Sequence, residues 1–322
     1  MFKNVTIIGG GVLGSQIGLM CAYTGHKTTF WLRMESSIGR TKPKLQRYSS
    51  LMLQDLAAAK KLIGNPMGAY LYPRGLIRAE EWAGITPEKI DSLYEAGEKN
   101  LKENISITLD MKEALQDADI VIESMSEDVQ QKTDIFQKMK DLLPEKTILC
   151  TNSSTLLPSM FAQATGRPEK FLALHFANDI WKHNTAEVMG HAGTDPEVFK
   201  QVLAFAQDIN MIPLPVLKEQ PGYILNSMLV PFLISAQKLW AGGVSDPKTI
   251  DLTWKLGTGA PMGPFEILDT IGLETAYNIG IMNPEAKDPS SLQSKINAML
   301  KEKIDRGETG INSGKGFYDY KK

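Results

Sequence analysis

The 322-residue sequence predicts an α/β protein: a doubly wound parallel sheet over residues 1–217, carrying a helical insertion at about 36–104, followed by an all-α domain over residues 218–322. Three observations predict it. A glycine cluster, Gly9-Gly10-Gly11-Val12-Leu13-Gly14, joins a strand-like run to a helix-like run. Short β-branched runs then alternate with helical stretches, as parallel strands joined by crossover helices require. From Pro221 onward the apolar residues recur only at three- and four-residue intervals, the period of helices.

Val5-Thr6-Ile7-Ile8 is short, apolar and β-branched, the pattern of a strand buried on both faces, and residues 13–23 read as the helix that follows. The spacing Gly9-x-Gly11-x-x-Gly14 has a mechanical reason. The first glycine makes the tight turn, the second lets a pyrophosphate approach the backbone, and the third lets helix and strand touch. Free N–H groups at the helix start then face the phosphates. Gly9, Gly11, Val12, Leu13 and Gly14 are therefore expected around a dinucleotide, in a Rossmann-type arrangement. Lys27-Thr28-Thr29-Phe30-Trp31-Leu32 reads as the second strand, and the insertion after it has helical patterns at 45–63 and 86–101. The parallel pattern resumes with Ile105-Ser106-Ile107-Thr108, Ile120-Val121-Ile122-Glu123, Thr147-Ile148-Leu149-Cys150 and Phe171-Leu172-Ala173-Leu174, with a helix at 128–143. In the C-terminal part, residues 224–239, 247–256 and 292–304 read as helices.

Composition excludes several classes. Thirty-five basic against thirty-seven acidic side chains give a net charge of −2, too balanced for a nucleic-acid or anionic-membrane partner. Met1-Phe2-Lys3-Asn4 leads into the first strand without a cleavable apolar segment, and no run approaches the roughly 18 apolar residues of a membrane helix, so the cytoplasm is the expected location. Cys21 and Cys150 are isolated and fit neither a disulfide framework nor a zinc site; both read as small buried hydrophobes. His26, His183 and His191 fit no metal spacing.

In an open α/β sheet ligands collect beyond the carboxyl ends of the strands, so the polar residues there carry the chemistry. Thr151-Asn152-Ser153-Ser154-Thr155 and His175-Phe176-Ala177-Asn178 each follow a strand. Glu187 lies in the strand-like Thr185-Ala186-Glu187-Val188-Met189, and Asn226 follows Pro221-Gly222-Tyr223-Ile224-Leu225. Each also has an ordinary reading: a structural histidine, a surface carboxylate, a serine that caps a helix, a polar position on a helix.

Taken with the glycine loop, Pro261-Met262-Gly263-Pro264 and Gly314-Lys315-Gly316-Phe317-Tyr318, the order and spacing of these segments resemble the 3-hydroxyacyl-CoA dehydrogenase family over nearly the whole chain. The resemblance implies that Ser154, His175, Glu187 and Asn226 form the catalytic centre and that Asn152 lies beside the cofactor. It also implies a short-chain acyl-CoA substrate such as 3-hydroxybutyryl-CoA or acetoacetyl-CoA, (S) stereochemistry, and a homodimer built through the helical domain. The residue types suit the reaction. An imidazole with a pKa near 6.5 can exchange the hydroxyl proton while hydride moves to or from a nicotinamide. A carboxylate on its other nitrogen fixes the tautomer, and Ser154 and Asn226 can hold the substrate oxygens.

Two departures stand out. The carboxylate that closes the second strand of an NAD unit and bonds the adenosine ribose is replaced by Leu32, followed by Arg33. The cofactor is thus NAD or NADP, and the guanidinium favours a 2′-phosphate held by Arg33, Ser36 and Arg40. The alternative is a solvated Arg33 with Glu35 on the ribose. Near the substrate, Asp179 stands where the family commonly has proline, and Thr185-Ala186 replaces a more aliphatic stretch. This wording is similar to a sub-branch that includes reductases of short keto and diketo esters. Lys44, Lys60, Lys61, Arg74 and Arg78 of the insertion could meet CoA phosphates, but none aligns with a family position. Two rivals therefore accompany the acyl-CoA reading: a CoA-free enzyme of keto esters or hydroxy acids, of diketoreductase or gulonate dehydrogenase type, and a non-catalytic protein of the lambda-crystallin kind.

Overall fold

A computed structural model describes residues 2–320. Among the described residues eight strands form one sheet in the order β3-β2-β1-β4-β5-β6-β7-β8. They are β1 (Asn4–Ile8), β2 (Lys27–Trp31), β3 (Ile105–Thr108), β4 (Ile120–Glu123), β5 (Ile148–Thr151), β6 (Phe171–Phe176), β7 (Thr185–Met189) and β8 (Ile212–Val216). The chain divides into two compact units, Met1–Ile224 and Leu225–Lys322. Residues 218–224, which the sequence pattern groups with the helical part, belong to the first unit, where Tyr223 is fully buried.

The first unit owes its continuous apolar strands to burial on both faces. Ile7 joins a core with Ile17, Phe30, Ile122 and Leu174, whereas its neighbour Ile8 joins an opposite one with Val121, Phe136, Leu149 and Phe161. Helix α1 (Val12–Tyr23) is buried along nearly its whole length. Cys21 and Cys150 lie in the first core, and burial pushes both thiols well above their ordinary pKa, so neither is a ready nucleophile.

The insertion comprises α2 (Glu35–Ala58), two single-turn helices α3 (Gly68–Leu71) and α4 (Ala79–Trp82), and α5 (Pro87–Glu103). Thr86 caps α5, its hydroxyl accepting from the Lys89 amide at 3.2 Å. Helix α2 begins ten residues ahead of the apolar pattern, with Pro43 inside it. The carbonyl that Pro43 cannot serve is that of Gly39, an exposed residue whose oxygen water can reach. Helices α6 (Met111–Leu115), α7 (Val129–Met139) and α8 (Pro196–Asp208) complete the layers.

Two strands depart from the parallel pattern: β7 runs antiparallel to β6, and β8, parallel to β7, shares its direction. Residues 177–184 are too few for a parallel crossover, which takes a dozen or more. The reversal sets His175 directly opposite Glu187 in the register. Strand β8, absent from the sequence reading, carries Pro213 and Pro215 and pairs with β7 as the edge of the sheet, where a missing N–H is tolerated.

The second unit contains α9 (Leu225–Ala241), α10 (Pro247–Thr258), α11 (Pro264–Ile271), α12 (Leu273–Met282) and α13 (Leu292–Asp305). Leu233, Phe265, Leu268, Leu273, Ile296 and Leu300 form its core. Phe317 packs its ring edge-on against Phe265 and Trp240, at 4.7 and 5.0 Å between centroids, and Asp269 accepts the amides of Phe317 and Tyr318. Phe317 and Tyr318 are thus core-packing residues of this unit. Among the described residues no helix is long and apolar enough to cross a membrane.

Candidate active site

The glycine turn has the geometry its spacing demands. Gly9, at φ +110°, donates its amide to the Trp31 carbonyl at 3.1 Å, and a Cβ on it would stand 2.7 Å from the Ser124 carbonyl oxygen. A Cβ on Gly14 would stand 2.5 Å from the Gly9 oxygen, so α1 approaches the turn too closely for any side chain. Gly11 differs: its nearest such neighbour is 4.0 Å away, which leaves the backbone face at the start of α1 open. No side chain caps α1, so its first amides remain available to an anion. These features fit a dinucleotide pyrophosphate.

A cleft of about 300 Å³ adjoins this turn, bounded by Gly9 to Gly11, Trp31 to Arg33, Ser37, Arg40, Thr41, Lys44 and Ser124 to Ser126. Three cations line it, and no carboxylate does. Lys44 donates to the Gly10 carbonyl at 3.2 Å and lines this cleft. Ser37 lines the wall, and the neighbouring Ser36 hydroxyl accepts from Arg40 at 3.5 Å. Leu32 is buried at the wall, Leu13 packs against the first core, and Val12 is half exposed in the first turn of α1. Glu35, the alternative ribose partner, is exposed and outside the lining. Of the other basic residues of the insertion, Lys60 pairs with Asp91, Arg78 donates to Asn210 at 2.8 Å, and Arg74 lies over the Tyr72 ring.

At the carboxyl ends of β5 and β6, and on β7 beside them, a second set of polar groups converges. His175 and Glu187, 5% and 3% exposed, face each other across the β6/β7 pair. Direct cross-strand neighbours hold their Cβ atoms about 5 Å apart, close enough for a carboxylate to reach an imidazole. The Nδ1 to Oε2 distance is 3.0 Å, and Nε2 lies 3.3 Å from the Ser154 hydroxyl. With the carboxylate on Nδ1, that nitrogen carries the hydrogen and Nε2 is the basic face. The other oxygen of Glu187 accepts the Ile224 amide at 2.8 Å. The Tyr223 ring stacks on the imidazole, 4.5 Å between centroids and 19° between planes, and its hydroxyl donates to the Ser153 carbonyl at 2.8 Å. Burial, reinforced by Glu127, raises the pKa of that hydroxyl far above its usual value, so it acts as a donor.

A buried charge network supports the serines. Lys132, fully buried on α7, donates to Glu123 at 2.7 Å and lies 3.7 Å from Glu127. Glu123 accepts the Thr151 hydroxyl and the Met125 amide, each at 2.7 Å. Glu127 accepts the Ser153 hydroxyl at 2.8 Å and the Ser154 amide. Asn152 bridges the two sites: its amide donates to Ser124 on the cofactor cleft and its oxygen accepts the Phe176 amide, both at 3.3 Å. Sequence reasoning identified the dyad, Ser154 and Asn152, but missed Glu127, Lys132 and Tyr223. The available signal was Glu123-x3-Glu127-x4-Lys132, three charged residues starting at the ligand-bearing end of a strand. Asn226 lies in the first turn of α9, half-buried in the second unit. Among the described residues no group of three or more metal-binding side chains forms.

Comparison with known proteins gives the family. The family model for the NAD binding domain of 3-hydroxyacyl-CoA dehydrogenase matches residues 80–220, and that for its C-terminal domain matches residues 222–320. The mitochondrial hydroxyacyl-coenzyme A dehydrogenase of Rattus norvegicus is 30% identical over 321 residues, covering 100% of this chain and 92% of its own. A 3-hydroxybutyryl-CoA dehydrogenase of Clostridioides difficile is 29% identical over 319 residues, covering 99% and 100%. Among solved structures, a diketoreductase described as acting on dicarbonyl compounds is 42% identical, with a TM-score of 0.82 and 99% of each chain covered. With two family models spanning most of its length, the chain belongs to the 3-hydroxyacyl-CoA dehydrogenase family of oxidoreductases.

Proposed function

We propose that the protein interconverts a short-chain (S)-3-hydroxyacyl compound and its 3-keto partner, with His175 as the general acid and base. One observation carries the reading: Nδ1 of His175 is bound to Glu187 at 3.0 Å while Nε2 faces Ser154 at 3.3 Å. A bound nicotinamide supplies or accepts the hydride. In oxidation Nε2 takes the hydroxyl proton, and in reduction the protonated ring returns it to the carbonyl oxygen. Glu187 holds the ring and stabilises its charged form, as a carboxylate does in a serine-protease triad. Ser154 hydrogen-bonds the substrate oxygen and fixes its approach. A buried acid beside a buried imidazole is costly to maintain without use, which also weighs against a purely structural role.

The substrate of this reading is a 3-hydroxyacyl-CoA of the 3-hydroxybutyryl type, as named for the relatives. A second reading, a dicarbonyl substrate without CoA, is favoured by the 42% identity to the diketoreductase. Acetoacetyl-CoA, an acetoacetate ester and free acetoacetate, compared by kcat/KM, separate the two. The first reading expects a preference of at least about tenfold for the CoA thioester, some 1.4 kcal/mol of transition-state binding; equal values would leave the second.

The NAD binding domain of the family supports a nicotinamide dinucleotide, and we extend the proposal to a preference for the 2′-phosphorylated form. Arg33, Arg40 and Lys44 on the cleft, with no carboxylate, support it. Replacing Arg33 with Ala should lower kcat/KM for NADPH by about tenfold and leave that for NADH within about twofold, the loss of one charge-assisted contact. A large NADH preference in the unaltered protein would end this part of the reading. A cytoplasmic homodimer joined through the helical unit completes the proposal.

A further inference from the structure

We propose that Tyr223 is a positioning residue that braces the acid/base pair, its ring holding the His175 imidazole in plane and its hydroxyl setting the loop that carries Ser154. This rests on the reading of His175 as the proton carrier. Four observations bear on it. Gly222 and Tyr223 both adopt left-handed backbone, at φ +81° and +54°. For glycine this is easy; for a bulky aromatic residue it is strained, and such strain persists where the surroundings over-determine it. The turn spends that strain on placing the ring face to face with the imidazole, 19° from parallel. On this side of the site the ring blocks rotation of the imidazole about its Cβ–Cγ bond, a motion that the Nδ1 bond to Glu187 and the longer Nε2 contact with Ser154 would only partly restrain.

The hydroxyl extends the brace. It donates to the Ser153 carbonyl at 2.8 Å, one residue from Ser154, whose amide is held by Glu127. The next residue of the same turn, Ile224, gives its amide to Glu187 at 2.8 Å. Three consecutive positions, 222 to 224, thus supply the bend, the ring over the base and a donor to the acid that orients it. Because misplacement of a catalytic group by about 1 Å can cost on the order of 100-fold, a small rotation of the ring suffices to slow proton transfer while leaving the binding of either substrate alone.

The test compares Tyr223→Phe, which keeps the ring, with Tyr223→Leu, which removes it. Both are measured for kcat and KM with acetoacetyl-CoA and an acetoacetate ester, for affinity toward the reduced nicotinamide, and for thermal unfolding. The expected result is a fall in kcat of about 30-fold for the leucine variant, with KM and cofactor affinity within about twofold, and a smaller fall of about fivefold for the phenylalanine variant, which keeps the ring but leaves the Ser153 carbonyl without its donor. Should the leucine variant not fold, Tyr223→Met, which fills similar volume without a ring, takes its place. The inference is overturned if the ringless variant keeps kcat within about threefold of the parent, or if its loss appears equally in KM and cofactor affinity. His175→Gln, assayed alongside, keeps the two ideas apart: an active glutamine variant refutes the role of His175 itself, whereas an inactive one beside an active leucine variant refutes only the brace.

Discussion

Replacing His175 with Gln should lower kcat by about 10³-fold while leaving cofactor affinity near that of the parent, the amount general acid and base catalysis typically contributes. Glutamine retains a donor that can meet Glu187 but has no nitrogen able to take up a proton at neutral pH. The alcohol or ketone can still bind, held by the remaining polar groups, so KM should change little. Glu187→Gln should fall on the same axis by about 10²-fold. Its amide can offer either an oxygen or an NH₂ to Nδ1, and the second choice selects the tautomer with its proton on the face meant for substrate. Steady-state kinetics of both variants at fixed pH give the answer. A change confined to KM would show that these side chains bind substrate without exchanging its proton.

The largest effect on stability is expected from Lys132→Met. Lys132 and Glu123 are both completely buried, and their ion pair at 2.7 Å offsets the loss of water around each. Removing the cation leaves a carboxylate among Thr151 and the Met125 amide, with no opposite charge in contact. Breaking a buried pair from one side costs about 3–5 kcal/mol. Adding Glu123→Gln should recover much of that loss, because an amide still accepts the Thr151 hydroxyl without needing a counter-charge. Urea unfolding of parent, single and double variants measures both quantities, and a cost below about 1 kcal/mol for the single variant would mean that water or a backbone shift compensates for the lost cation. Activity should fall as well, since Glu127, which also faces Lys132, holds the loop of Ser153 and Ser154.

Much of this arrangement could be read from the chain, and the parts that could not share a cause. The strands of the first unit were legible because burial on both faces leaves uninterrupted β-branched runs, as in Ile120 to Ile122. Strand β8 was not, because Ile212-Pro213-Leu214-Pro215-Val216 contains two residues that ordinarily exclude a strand, and only its place at the sheet edge permits them. The early start of α2 was hidden by Pro43 and by a first turn that is exposed and polar, where no apolar period exists to detect. Within the site, His175 and Glu187 were found through the spacing they share with a family. Lys132 was not, because a lysine on an otherwise amphipathic helix reads as solvent-facing until coordinates place it at zero exposure. Tyr223 was passed over for a related reason: an aromatic residue in an apolar segment looks like core, and only the backbone sign at 222 and 223 marks it as something held in place.

The alignment of β6 with β7 has a wider consequence. A slip of one residue would turn every side chain to the opposite face, so the partnership between the imidazole and its acid is written into the ladder rather than into any loop. Residues 177–184 close the hairpin and are themselves anchored, with Ile180 and Trp181 buried in the first core. Any variant that keeps the β6/β7 alignment therefore keeps the proton machinery in place, and one that slips it parts the two groups at a stroke.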